Sequence, residues 1–180
     1  ELVANSPLVG ASGKLTWKQL IKKAGISRAD CFIINTIGEW PAGKDGSPTP
    51  AQFDKYWDIF DTALLSSRAR VMVLLGGDAL WRATGICGRH NGIEDWRGYL
   101  IARNECYDLE RTQLVSSVYK GNSKNHRKGD PKIEHRKVSM PCPFPPTVEW
   151  AIATYHPAAV IRTGFGVLPA FAADITRVGR

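Results

Sequence analysis

Apolar side chains recur along this chain in two periods, and the switches between them mark its elements. Leu15, Leu20, Ile21 and Ala24 fall at near-helical spacing, with Lys18, Lys22 and Lys23 mostly on another face and Gly25 as a stop, which predicts a helix over 15–24. Cys31-Phe32-Ile33-Ile34-Asn35-Thr36 is a short apolar, β-branched run and reads as a buried strand ending in asparagine. Residues 38–50 carry three glycines and three prolines, so they form a loop. Thr49-Pro50 then opens a helix over 50–66, whose apolar face is Phe53, Trp57, Phe60, Ala63 and Leu64.

Arg70 to Leu75 reads as a second buried strand, ended by Gly76-Gly77, and Asp78 to Thr84 as a short helix. Trp150-Ala151-Ile152-Ala153-Thr154 is a third apolar run. It delivers His156 to the end of a strand over Ala151–Tyr155, where Pro157 stops the ladder because it has no amide hydrogen and a fixed φ. Leu168 to Val178 reads as a final helix within 167–178. Strands alternating with helices require helical crossovers. The expected fold is therefore α/β, a three-layer sandwich with a central, mainly parallel sheet in which the strands 31–36, 70–75 and 151–155 are neighbours.

Residues 101–149 break this rhythm and read as an insertion into a single domain spanning 1–180. Lys120, Lys124, Arg127, Lys128, Lys132, Arg136 and Lys137 crowd into 118–137 among Gly121, Asn122, Ser123, Asn125, Gly129 and Pro131, a composition that predicts a flexible basic loop. Its flanks, Thr112 to Tyr119 and Lys137 to Met140, have the pattern of a hairpin. Pro141-Cys142-Pro143-Phe144-Pro145-Pro146 follows as a stiff, extended connector.

Composition narrows the class. The chain has 180 residues, 43% hydrophobic and 23% charged, enough for one sizeable core. No apolar run approaches the ~20 residues of a bilayer span, and residues 1–13 lack the basic start and apolar block of a secretory signal. A cytoplasmic protein is expected. The net charge of +7 suits a polyanionic partner, although mildly basic proteins without one are common. Cys31, Cys87, Cys106 and Cys142 form no Cys-x-x-Cys pair and read as reduced thiols. There is no Gly-x-Gly-x-x-Gly or Walker-type loop, which counts against a small nucleotide-binding enzyme.

Taken singly, His156 reads as a loop or helix-entrance residue and Asn35 as a strand-end turn residue. Their order along the chain says more. A Gly-rich turn, Pro7-Leu8-Val9-Gly10-Ala11-Ser12-Gly13, precedes a helix; then come the strand ending in Asn35, the proline loop and helix, the strand ending in Leu75-Gly76-Gly77, and the strand ending in His156-Pro157-Ala158. This ordered set resembles the uracil-DNA glycosylase superfamily, especially the thermostable iron–sulfur type and its phage relatives. The resemblance covers residues 1 to about 100 and 148 to 180. It implies that fold and hydrolysis of the N-glycosidic bond of uracil or a related deaminated or modified base in DNA. The alternative is a non-catalytic DNA-binding module of the same fold in a phage replication or DNA-modification protein.

The resemblance also implies roles. Base removal needs the base flipped into a pocket, donors aimed at the charge it carries away, and a water at the sugar carbon. His156 would donate an N–H to the charge developing on uracil O2. Asn35 would read the pyrimidine edge, since its amide both donates and accepts. Pro7, Leu8 and Gly10 would border the base pocket. Leu8 stands where relatives often carry a stacking aromatic; the loss of that ring is worth ~1–3 kcal/mol per base in other nucleic-acid sites. Val160 or Ile161 would be the apolar wedge that fills the gap left by the flipped base, with Arg162 on a phosphate; the alternative is that Ile161 is core and Arg162 solvated. Ser47 and Thr49 would pinch phosphates at a helix start, or Thr49 is an ordinary cap. Arg127, Lys128, Arg136 and Lys137 would hold DNA through phosphates without reading sequence. The expected partner is single- or double-stranded DNA, and the expected state a monomer without a membrane partner.

The iron–sulfur relatives place two cluster cysteines near Glu39 and in the helix around Tyr56. This chain has none there, so no cluster, other cofactor or metal is expected. Glu1 matches an acidic residue ahead of the first turn, and the family's first motif, a Gly-x-x-Pro-Gly turn that helps position the attacking water, would lie just before Glu1.

Overall fold

The computed structural model describes residues 7–43, 46–86 and 92–179. Helix α1, Ala11–Gln19, runs on through a wide π-type turn, Leu20–Ala24. It starts four residues earlier than the apolar spacing predicts, and Gly13 shows why. A Cβ at Gly13 would lie 1.8 Å from the Leu8 carbonyl oxygen, so only glycine lets the turn at 7–10 fold back on the helix. The Leu8 carbonyl also accepts the Trp17 indole N–H at 3.0 Å, and the Arg28 guanidinium donates to the Pro7 carbonyl at 2.8 Å.

Helix α2, Pro50–Ser66, has the predicted bounds. Thr49 caps it, and Gln52 closes the capping box by reaching back to the Thr49 amide at 3.1 Å. After a four-residue connection β1, Val71–Leu75, enters the sheet, followed by α3, Gly77–Thr84, and the short α4, Ile93–Trp96. β2, Leu100–Ile101, precedes the two long strands of the insertion, β3 (Leu109–Val118) and β4 (Pro131–Met140). β5, Trp150–Thr154, then leads through His156 into α5, Pro157–Arg162, and α6, Leu168–Val178.

β1 and β5 are parallel neighbours, registered from Val71↔Trp150 to Leu75↔Thr154. β2 lies on the other side of β5 and runs antiparallel, so the sheet among the described residues is a mixed one of order β1-β5-β2. The sheet is thus mixed, and the expectation of a strand over 31–36 is corrected: Cys31–Thr36 is extended chain that forms no ladder with another described residue. Phe32 and Asn35 of that segment are exposed while Ile34 packs on the core. The β-branched run supplies propensity, but a strand also needs a partner on its edge and cover on its faces, and this segment has only partial cover on one side.

Strand alternation explains the layers. Met72 and Leu74 of β1 point into a cluster with Phe60, Leu64 and Leu80, while Val73 and Leu75 point into one with Leu20, Val160, Phe171 and Ile175. Helices thus cover both faces of a small sheet, as an α/β fold requires. Cys31, Cys106 and Cys142 are free thiols, and Cys87 lies outside the described residues. No helix among the described residues is long and apolar enough to cross a membrane.

The insertion is more ordered than its composition predicts. β3 and β4 pair over ten residues each, from Leu109↔Met140 to Val118↔Pro131. Lys132, Arg136 and Lys137 therefore belong to a strand rather than to a flexible loop. The turn between the strands is held by its own bonds: the Lys128 amide donates to the Asn122 side chain at 2.7 Å and the Arg127 amide to the Asp130 carboxylate at 2.6 Å. Tyr119 stacks on His126 with ring centroids 4.1 Å apart. Arg111 pins the ribbon to α2, binding Asp54 at 2.7 Å and Asp58 at 3.0 Å.

Candidate functional site

His156 sits where β5 leaves the sheet and α5 begins. Its backbone is extended, with ψ 132°, because the residue before a proline is excluded from the helical region. The ring closes the helix start: Nδ1 accepts the Ala158 N–H at 3.2 Å. In a neutral imidazole this puts the proton on Nε2, which is then the ring's hydrogen-bond donor. His156 is exposed at the end of the sheet formed by the carboxyl ends of β1 and β5, where open α/β sheets bind ligands.

The wall beside it is Gly76. This residue has φ 92° and ψ 170°, a conformation essentially reserved for glycine, and a Cβ there would stand 3.0 Å from the His156 Cβ. The Gly76 amide donates to the Thr154 carbonyl at 2.9 Å, which ties the β1–α3 turn to the strand that carries the histidine. Gly76-Gly77 is legible in the sequence as the end of a strand, but its contact with His156 follows only from the parallel register.

Two further contacts hold the histidine's neighbours. Thr154 donates its hydroxyl to Asp174 at 2.7 Å, and Arg97 grips the same carboxylate at 2.7 and 3.1 Å. The Tyr155 hydroxyl donates to Glu94, and the Arg97 guanidinium lies 5.3 Å from the centre of the Tyr155 ring. The hydrogen bond to Glu94 raises the Tyr155 phenol above its usual pKa. Three successive residues, 154 to 156, are thus fixed by groups from α3's turn, α4, α5 and α6.

The remaining sequence-predicted residues divide into several groups. Helix α1, which follows the Pro7–Gly13 turn, packs against α5, which follows His156. Pro7 and Leu8 are half-buried and Gly10 is exposed; Leu8 has φ 56°, a left-handed conformation rare for a leucine. Asn35 is exposed in the extended segment, flanked by the packed Ile34 and Ile37, and is held there by that packing instead of by a sheet ladder. Ser47 is half-buried, and the hydroxyl of Thr49 accepts the Gln52 amide at 3.3 Å, so it serves as a helix cap.

The wedge assignment changes. Val160 is 0% exposed and packs with Leu20, Phe171 and Ile175, because on α5 it falls three residues after the buried Pro157. A side chain spent on the core cannot enter DNA. Ile161 is half-buried and Arg162 exposed. The apolar side chain offered to solvent there is Phe165, 49% exposed with φ 66°, at the crest of the turn Thr163-Gly164-Phe165-Gly166. An aromatic between two glycines was the sequence signal for it. In the insertion, Arg127 and Lys128 lie in the turn, whereas Arg136 and Lys137 are consecutive strand residues and face opposite ways; Lys137 pairs with Glu110 at 2.8 Å.

Where the iron–sulfur relatives would place cluster cysteines, Glu39 faces α2 and accepts from Lys55 at 2.5 Å, Gln52 at 3.1 Å and Tyr56 at 3.2 Å. Chiefly the Lys55 bond holds the Glu39 carboxyl below the usual carboxylate pKa. An ion-pair hub therefore fastens the proline loop to the helix. Among the described residues no group of three or more His, Cys, Asp or Glu could hold a metal ion. Glu1 lies outside the described residues.

Comparison with known proteins finds no match among curated sequences. The chain does match the family profile described as the Uracil DNA glycosylase superfamily, over residues 1–176.

Proposed function

The chain belongs to the uracil-DNA glycosylase superfamily, and from that premise we propose that it hydrolyses the N-glycosidic bond of uracil or a related deaminated base in DNA, with His156 as the donor to the departing base. The observation that carries this reading is the His156 geometry. Its Nδ1 accepts the Ala158 amide, which puts the proton of a neutral ring on Nε2, the atom type that can donate to an anion at the carboxyl end of the sheet. The ring is backed by a glycine that admits no larger neighbour. A donor fixed before the reaction stabilises the leaving anion without having to reorganise during it.

In this reading Asn35, exposed on its packed segment, reads the pyrimidine edge, and Pro7, Leu8 and Gly10 wall the pocket. Phe165, exposed three residues after Arg162, fills the space vacated by the flipped base; apolar side chains of this size wedge between base steps in other minor-groove binders. Arg127, Lys128, Arg136 and Lys137, with the α2 start at Ser47 and Thr49, supply phosphate contacts that position the duplex.

A second reading, a DNA-binding module without catalysis, is favoured by one observation. Leu8 replaces a stacking ring at the pocket wall, and its left-handed backbone limits what else can stand there. Single-turnover release of uracil from a labelled oligonucleotide separates the two. The glycosylase reading expects release by the wild-type protein and a loss of about 10²–10³ in rate for His156→Ala. DNA affinity should be kept, since most of it comes from phosphates. No release from any deaminated substrate by the complete protein overturns it. A lowered melting temperature with full activity per folded molecule would make His156 structural.

A further inference from the structure

Five of the chain's seven net positive charges lie between Leu109 and Met140, where eight lysines and arginines face three carboxylates. The rest of the molecule is close to neutral. The β3–β4 ribbon is therefore the electropositive limb of the protein, and it is more than a charged loop. Its two faces differ. One carries Arg111, fastened to α2 through Asp54 and Asp58. The other is turned to solvent and carries an apolar stripe, Leu114, Val118 and Ile133, which are 37%, 56% and 59% exposed. In the register Ser116 stands opposite Ile133, so Leu114 and Val118 flank Ile133 diagonally and the three form one patch.

The direction of the ribbon follows from its grip on α2. Arg111 reaches both Asp54 and Asp58, while the Leu114 amide reaches Asp54 alone at 3.3 Å. β3 therefore climbs toward the N-terminus of α2. That end of α2 lies away from its junction with the start of β1, so it is on the side where β1 and β5 end at His156. Beyond Leu114 the strand continues to Val118, about 14 Å at ~3.4 Å per residue. The basic turn with Lys120, Lys124, Arg127 and Lys128 comes after that. Among the described residues no carboxylate forms an ion pair with any of these four.

We propose that the β3–β4 ribbon is a duplex-reading arm that lays its outer face, Leu114, Val118 and Ile133, in the major groove of DNA, with its basic turn closing on the phosphates. A two-stranded ribbon fits the major groove, which is about 12 Å wide, and apolar side chains there meet the methyl edge of thymine. Charge selects the partner, because a strongly positive ribbon repels a second copy of itself and attracts a polyanion. The stripe selects the groove, because phosphate binding alone has no use for exposed leucine, valine and isoleucine. The inference takes DNA as the partner from the proposed function and does not depend on base release.

The test uses the full chain and a uracil-free duplex, with binding read by fluorescence anisotropy across salt concentrations. Leu114→Ser with Ile133→Ser should weaken duplex binding about tenfold, about 1.4 kcal/mol, with an unchanged salt slope and melting temperature. Both sites are exposed, so the fold is not at stake. Replacing Lys120, Lys124, Arg127 and Lys128 with alanine should instead reduce the magnitude of the salt slope by about 3 to 4. A duplex whose pyrimidines carry bulky C5 groups, filling the major groove, should bind wild type and the serine variant equally weakly. Equal duplex affinity of wild type and the serine variant overturns the proposal. So does undiminished wild-type binding to the filled groove, a parallel loss on single strands, or a change of oligomeric state in the serine variant. Failure to release any base, with these binding results intact, sinks the glycosylase reading and leaves the arm standing.

Discussion

Asp174→Ala should be among the most damaging single substitutions in this protein. The Asp174 side chain is 4% exposed and Arg97's 24%, and the carboxylate accepts two bonds from Arg97 and one from the buried Thr154 hydroxyl. Removing it strands a largely buried guanidinium and a buried hydroxyl. Breaking a buried pair from one side costs about 3–5 kcal/mol. The partial exposure of Arg97 lets water recover some of that, and the orphaned hydroxyl adds to it. About 3 kcal/mol is the working figure, which in a domain of this size lowers the melting temperature by about 6–12 °C. Urea and thermal unfolding measure it directly.

The double variant with Arg97→Ala gives the sharper test. With no guanidinium left to strand, Asp174→Ala should cost markedly less, and the coupling between the two sites should fall within about 0.5–3 kcal/mol. Thr154 lies two residues before His156, so base release per folded molecule should also fall in Asp174→Ala, and Asp174→Asn should restore part of it by keeping an acceptor. A melting temperature within 2–4 °C of wild type, equivalent to about 1 kcal/mol, would refute the reasoning. Strict additivity with Arg97→Ala would do the same.

Gly76→Ala places a methyl 3.0 Å from the His156 Cβ at φ 92°. It should cost about 1–3 kcal/mol of stability and slow base release more than it weakens DNA binding; normal release by the folded variant would separate Gly76 from the site. Glu39, with its pKa depressed chiefly by Lys55, contributes stability above the ordinary carboxylate pKa that is lost as pH falls through the depressed value. Wild type should therefore outlast Glu39→Gln in urea at neutral pH, and the gap should narrow as the pH is lowered below the ordinary carboxylate range. An equal gap at both pH values would mean that the hub does not work through Glu39's charge.

What the sequence shows of this fold depends on whether the determining forces are local. α2 is legible to the residue because Thr49, Pro50 and Gln52 write its start and the aromatic face writes its length. β1 and β5 are legible because both are continuous apolar runs cut off by Gly-Gly and His-Pro. Cys31–Thr36 has the same local signature, yet no other described residue forms a ladder with it, since pairing is decided by what lies alongside. Val160 illustrates a periodicity that was available: it lies three residues beyond the buried Pro157 on a helix, which turns it into the core. Arg136 and Lys137 likewise had to face opposite ways once their segment was a strand. The Arg97–Asp174 pair spans 77 residues and has no local signature.

The position of His156 depends on both kinds of information. His156-Pro157 can be read from the chain, but its contact with Gly76 depends on the register Leu75↔Thr154. That register is set by the core. Met72 and Leu74 must face α2 and α3 while Val73 and Leu75 face α5 and α6. A slip of β1 by one residue would turn both sets to the wrong layer. It would also move the glycine that leaves room for the imidazole. The packing that stabilises the sheet and the placement of the proposed donor are therefore one constraint, so substitutions that disturb the β1 alternation should damage stability and base release together.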